Sequence, residues 1–202
     1  MSNIKKIISR ITDLSTYMLL HRKIFIRQFC QVGLGLKVTQ RAEIFHHGHD
    51  KNQIILGDFV VLDGTLEVYE KGILTIGDYT YIGRSRIYCT TRIAIGQHCL
   101  ISDNVCVMDS DLHPLSASKR ARIAKNWAKG KFPDVYTDTP NAPVVIEDHC
   151  WIGFGSAILK GVRIGQGSIV GTNSVVTKDV SPWTIVAGNP ARIIREIPEN
   201  ER

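Results

Sequence analysis

From Val144 to Val176 an aliphatic residue returns at every sixth position without a slip: Ile146, Ile152, Ile158, Ile164, Val170 and Val176. Two residues before each stands Val144, Cys150, Ser156, Val162, Ser168 or Ser174, small or β-branched in every case. Six residues of α-helix rotate about 600°, a net 240°, so no helix gathers this series on one face. Three short extended segments per turn do. One aliphatic side chain per segment points inward, the small residue two places earlier faces the same way beside a corner, and Gly, Asp and Asn relieve the tight turns. Coils stacked about 4.8 Å apart then bury a continuous apolar column.

The same rhythm runs earlier through Leu56, Leu62 and Val68, then Ile76, Ile82 and Tyr88, then Ile95, Ile101 and Val107, with slips of one or two residues between triplets. Such slips belong in corner loops. The pattern predicts a mainly β domain over residues 42–202, a parallel solenoid interrupted by a loop insertion at 109–143. Residues 1–41 differ. Ile4, Ile7, Ile8, Ile11, Leu14 and Met18 fall at helical spacing among Lys5, Lys6 and Arg10, which predicts an amphipathic helix. It caps the open end of the coil or packs between subunits, or else lies on a membrane surface.

The net charge of +6 is concentrated in this segment: residues 1–41 carry eight Lys and Arg against Asp13, and 42–202 carry seventeen against eighteen acids. A nearly neutral body argues against nucleic acid as a partner. The five cysteines, Cys30, Cys89, Cys99, Cys106 and Cys150, are odd in number and contain no Cys-x-x-Cys. A disulfide framework and a zinc site are therefore not expected, and a reducing cytoplasm is. No apolar run is long enough to span a bilayer, and the N-terminus has no signal-peptide pattern, so a cytoplasmic protein is expected.

A solenoid accepts an insertion only at a corner, and such excursions often carry function. This one opens with Met-Asp-Ser-Asp-Leu-His-Pro-Leu, residues 108–115. Taken with the six-residue repeat over 54–107 and 144–195, the chain resembles the hexapeptide-repeat acyltransferases, specifically the maltose and galactoside acetyltransferases and the capsule and lipopolysaccharide O-acetyltransferases. The resemblance implies a left-handed parallel β-helix, a hand that crossover rules alone would not favour, and a homotrimer. It implies acetyl-CoA as co-substrate, a carbohydrate acceptor and no metal.

His113 matches the family's catalytic histidine. A neutral imidazole, with an ordinary pKa near 6.5, can take the proton of a sugar hydroxyl as it attacks a thioester. Asp109 or Asp111 could fix its tautomer, or could simply form the turn. Trp151 points out of the coil and matches a tryptophan beside the acetyl-CoA channel, with packing between subunits as the plainer role. The resemblance places the pantetheine arm along Phe154, Gly171 and Thr172, and the CoA phosphates and adenine at Thr177, Lys178, Arg192 and Arg195.

Residues 119–131 carry Lys119, Arg120, Arg122, Lys125, Lys129 and Lys131 with no acid, around Trp127. A solvated helical flap is the plainer expectation. The sharper one is that Trp127, Lys119 and Arg120 bind an acidic acceptor. The expected reaction is O-acetylation of a sugar hydroxyl in a surface polysaccharide or lipid-linked glycan, with N-acetylation of an amino (nucleotide) sugar or antibiotic as the alternative.

Two other classes compete. A γ-type carbonic anhydrase needs histidines converging on a metal, whereas His98, His113 and His149 are scattered in sequence, and His46, His47 and His49 read as loop. A non-catalytic trimeric scaffold has no use for a His-Pro loop with a CoA-type C-terminus. Cys99 and Cys150 occupy small-residue slots and are expected in the core, which argues against an acyl-cysteine route.

Overall fold

The computed structural model describes residues 26–48, 50–131 and 139–202. Successive short strands pass in rotation to three sheets of six, eight and six strands, which together form the expected parallel β-helix. One coil, for example, consists of Ile73–Ile76 in the first sheet, Tyr81–Ile82 in the second and Arg86–Cys89 in the third.

The six-residue pattern becomes three inward columns. Leu56, Ile76, Ile95, Ile146 and Ile164 stack in the first sheet. Leu62, Ile82, Ile101, Ile152, Val170 and Val186 stack in the second. Leu66, Ile87, Val107, Ile158 and Val176 stack in the third. All are buried, and full burial of such a side chain stabilises by roughly 1.5–3 kcal/mol. The pairing of Ile93–Ile95 with Val144–Ile146 carries the first sheet straight past the insertion.

Burial at the corners would strand polar groups, and the small residues prevent this. Ser168 Oγ donates to the Ser181 carbonyl at 2.8 Å and accepts from the Thr184 N–H at 3.2 Å. Ser156 does the same between the Gly171 carbonyl and the Ser174 N–H. The sulfurs of Cys99 and Cys150 face the carbonyls of Glu147 and Gly165 at 3.1 and 3.3 Å, so these cysteines do occupy the corner slots.

All five thiols are free. Burial pushes the Cys30 and Cys89 thiols up to about 12, and the hydrogen bond with Cys99, followed by burial, raises that of Cys150. The thiolate is the reactive form. Access decides between the thiols, because burial raises that of Cys106 as well: at pH 8 a thiol-exchange reagent should label half-buried Cys106 first and leave the four buried cysteines, Cys30, Cys89, Cys99 and Cys150, unlabelled until the chain is unfolded; mass spectrometry of the native protein checks this.

Several details depart from the sequence pattern. Tyr88, expected inward, faces outward, because Ile87 and Cys89 pair with Leu66 and Val68 and take the buried positions. The coil begins earlier than residue 42: Gln31–Val32 and Lys37–Val38 pair with Ile55–Leu56 and Val61–Leu62, inside the segment expected to be helical. The amphipathic stretch Ile4 to Met18 lies outside the described residues. At the other end, Ala191–Glu196 turns back antiparallel on Thr184–Gly188 and closes the second sheet.

The histidines are also arranged differently. His98 and His149 are neighbours: their rings stack at 5.1 Å, continuing a column from Phe59 and Tyr79 along one corner. All four adopt positive φ of 55–61°, a conformation costing about 1–2 kcal/mol for a residue with a side chain, so each corner carries strain that ring stacking offsets. His46 ends the strand Glu43–His46 instead of lying in a loop, and its Nε2 meets Gln53 Oε1 at 3.0 Å. His49 lies outside the described residues. Among the described residues no helix is long and apolar enough to cross a membrane.

Candidate active site

The insertion leaves after the strand Cys106–Met108 and returns at Val144–Ile146. Its neck is zipped by a Ser110–Asn141 bridge, with the Asp111 N–H donating to the Pro140 carbonyl at 3.0 Å and the Ala142 N–H to the Asp109 carbonyl at 2.9 Å. These bonds hold the loop at the corner between the third and first sheets.

Asp109 is fully buried at that corner. Its carboxylate accepts from the N–H groups of Thr90, Thr91 and Arg92 and from the hydroxyls of Thr90 and Thr91, at 2.7–3.0 Å. Five donors occupy both oxygens. Asp111 turns to the opposite side and pairs with Lys160 Nζ at 2.7 Å. Among the described residues neither carboxylate hydrogen-bonds His113. The expectation that one of them orients its ring is not met within the chain, because one carboxylate holds the corner and the other holds the neck.

Leu112, just before the histidine, has a φ of 59°, held by its N–H donating to Ser110 Oγ at 3.1 Å. Such strain in a bulky residue persists only where the surroundings impose it, and it occurs often at working sites. It sends His113 outward, exposed, while Pro114 is buried. The His113 ring meets Trp127 edge-on, with centroids 5.6 Å apart and planes at 61°.

Trp127 reaches it from the end of the helix Ala117–Trp127, capped by Ser116 and burying none of its residues. The solvated helical expectation therefore holds. Lys119 is exposed in its first turn. Arg120 folds back to the chain before the helix, where its Nη1 donates to the carbonyls of Pro114 and Leu115 at 3.0 and 2.5 Å.

A second group of residues lines the outer face of the second sheet. Leu100, Trp151, Ile169, Ile185 and Arg195 sit in register along the solenoid axis. Trp151 is 49% exposed, its indole N–H donating to Ser102 Oγ at 3.3 Å. Arg192 is opposite Ala187 and Arg195 opposite Ile185, with a bulge between. Residues three apart on a regular strand face opposite sides; the extra residue re-phases the strand so that both arginines join the outer face.

Trp151, Ile169, Ile185 and Arg195 share a cavity of about 570 Å³ with His149, Trp183 and Arg202. Gly167 makes room there: its φ is +68°, and an added Cβ would lie 2.1 Å from the Trp183 ring.

The remaining expected cofactor residues are spread around the coil. Phe154 is 45% exposed at the corner after Trp151, with Thr172 exposed one coil further on. Gly171 already donates its N–H to Val186 and accepts from Ser156. Thr177 and Lys178 are exposed beyond the third sheet. His113 leaves at the corner opposite the second sheet, so a single chain does not bring it to Trp151.

Sequence reasoning missed Lys160 and the Thr90–Thr91 pair. No local signal links Lys160 to Asp111, 49 positions away. Among the described residues no group of three His, Cys, Asp or Glu side chains converges as a metal site would need.

The family described as bacterial transferase hexapeptide (six repeats) matches residues 143–178. The Escherichia coli protein named as a colanic acid biosynthesis acetyltransferase, WcaF, is 30% identical over 149 residues, covering 72% of this chain and 71% of that one. The chain belongs to the hexapeptide-repeat transferases. Among solved structures of this family, the hexapeptide-repeat acetyltransferase VCA0836 of Vibrio cholerae, crystallised with acetyl-CoA, has a TM-score of 0.61 and 28% identity, covering 94% of this chain and 81% of that one. The N-acyltransferase AntD of Bacillus cereus, solved with a dTDP-amino sugar and CoA, has a TM-score of 0.68 at 22% identity over 89% and 90% of the two chains, a likeness of fold. The chain spans only 46% of the length of a third relative, the galactoside O-acetyltransferase of Lactococcus lactis, at 33% identity over 111 residues.

Proposed function

We propose that this hexapeptide-repeat transferase moves acetyl from acetyl-CoA to a hydroxyl of a sugar in a surface polysaccharide or lipid-linked glycan. The observation that carries the reading is the outward row from Trp151 through Ile169 and Ile185 to Arg195 and Arg192. Three steps of about 4.8 Å make roughly 14 Å, an apolar track for a pantetheine arm that ends in cations suited to phosphates. Thr177 and Lys178 lie on another side of the coil, and so does His113. A homotrimer reconciles these positions, with the loop of one subunit meeting the Trp151 end of the track on its neighbour.

In the reaction the neutral His113 imidazole takes the proton of the sugar hydroxyl as its oxygen attacks the thioester carbonyl carbon. The tetrahedral intermediate collapses, the carbon–sulfur bond breaks, and the imidazolium returns the proton to the thiolate, releasing CoA and an acetyl ester. The relatives named for colanic acid biosynthesis and galactoside O-acetylation support a sugar hydroxyl as acceptor.

Thiol release from acetyl-CoA, assayed across sugars, oligosaccharides and nucleotide sugars with mass spectrometry of the product, tests this. An alkali-labile ester is expected. A stable amide on an amino sugar would replace this reading with N-acetylation, and absence of acetyl transfer across the panel would count against it altogether. Arg192→Ala and Arg195→Ala should each raise the KM for acetyl-CoA about tenfold with little change in kcat, since each removes a charged phosphate contact. With dephospho-CoA thioester as donor, at least one of these losses should shrink.

A further inference from the structure

We propose that Arg120 is a positioning residue for His113, a strap on the catalytic turn and not a contact to the acceptor. The proposal rests on the transfer mechanism above, in which His113 is the base.

The geometry begins with a deficit of donors. The helix Ala117–Trp127 starts after its cap Ser116, so the carbonyls of Pro114 and Leu115 precede it and receive nothing from its N–H groups. Pro114 has no N–H of its own with which to tie the turn. Leu115 is 77% exposed and contributes no packing. Among the described residues, without Arg120 the His113–Leu115 turn would rest on the burial of Pro114 and the edge contact of His113 with Trp127, next to a strained Leu112.

Arg120 supplies the missing donors. Its Nη1 bonds both successive carbonyls, at 3.0 and 2.5 Å, and closes the turn from the helix side. A guanidinium suits this task because it is planar, permanently charged and rich in donors. The opposite end of the helix sends Trp127 to the edge of the His113 ring. Both ends of a helix that buries nothing thus fasten the same turn. This explains why an otherwise solvated helix lies beside the base.

The consequence is a division of labour within the cationic insertion. Arg120 is committed to backbone, and attraction of an anionic acceptor falls to exposed neighbours such as Arg122 and Lys125. A displacement of the base by about 1 Å can cost on the order of 100-fold in rate, so loosening the turn should be read in kcat.

The test compares Arg120→Ala, Arg120→Lys, His113→Ala and the double variant, with acetyl-CoA and the acceptor sugar identified by the panel. R120A is expected to lower kcat about 10- to 100-fold, with KM for both substrates within about twofold of wild type and an unchanged thermal melt. R120K, which keeps a charged donor on a shorter head, should recover part of the loss. In the His113→Ala background R120A should cost nothing more, because the two residues act as one unit. Should the alanine variant fail to fold, the same comparison runs on R120K and Arg120→Gln.

A rise in acceptor KM with kcat intact would make Arg120 an acceptor contact and overturn the proposal. So would a wild-type kcat, or a loss that persists without His113. If H113A kept wild-type turnover, the transfer mechanism itself would fall and the strap with it. If H113A were inactive and R120A normal, only the strap would fall. Independently of any acceptor, NMR of the His113 ring should give one sharp resonance in the wild type that broadens or shifts in R120A; an unaltered signal would also count against it.

Discussion

His113→Ala will lower the rate of acetyl transfer about 10²- to 10⁴-fold, the range a general base contributes, while leaving the fold and the affinity for acetyl-CoA close to wild type. The histidine is exposed, and its ring contact among the described residues is with Trp127, so removing it breaks no core packing. The outer-face track that we assign to CoA lies on a different side of the chain. A thermal melt, an acetyl-CoA binding isotherm and the thiol-release rate separate the three quantities. His113→Gln, which keeps a polar group but cannot act as a base near neutral pH, should be as inactive as the alanine variant. Turnover near wild type in either would mean that another group accepts the hydroxyl proton.

Asp109→Ala will show the largest stability change of any single polar substitution in the insertion neck. Five donors converge on that carboxylate in a fully buried corner. The two threonine hydroxyls can rotate to other partners. The backbone N–H groups of Thr90, Thr91 and Arg92 cannot; that of Thr90 is buried and the other two are partly so, and since a buried donor left unmade costs about 1–3 kcal/mol, a loss of about 2 kcal/mol or more is expected. Asp109→Asn should lose less, since its amide oxygen still accepts some of these bonds. Chemical denaturation followed by circular dichroism measures both. The same variants should slow transfer, because the corner that Asp109 braces is where the His113 loop departs. A stable, fully active Asp109→Ala protein would mean that the carboxylate bears no load at the corner.

Much of this site was legible in one dimension because the fold is nearly one-dimensional. Ile146, Ile152 and Ile158 announce three faces, and the residue number then gives the face on which Trp151 sits. The insertion limits, 109–143, follow from the same counting, since the period stops after Val107 and resumes at Val144. Tyr88 escaped the counting because an extra residue in its coil moved the inward positions to Ile87 and Cys89. The early start at Gln31 escaped it because Val32, Val38 and Ile44, although six residues apart and paired with Leu56, Leu62 and Leu66, adjoin the basic stretch whose helical spacing suggested a helical segment up to residue 41.

Arg192 and Arg195 show the boundary between the two kinds of information. Their spacing of three names no common face, and only the bulge at Ile185/Val186 puts them side by side. The two aspartates show it again. The sequence by itself determined the β-helix and the place where it opens, because both follow from a repeat and its interruption; the choice of His113 within that opening came from the resemblance to the hexapeptide-repeat acyltransferases. Which carboxylate braces which backbone, that Lys160 reaches Asp111, and that Arg120 ties the histidine turn were decided only by tertiary structure. Those contacts join segments through a corner loop whose path no period prescribes.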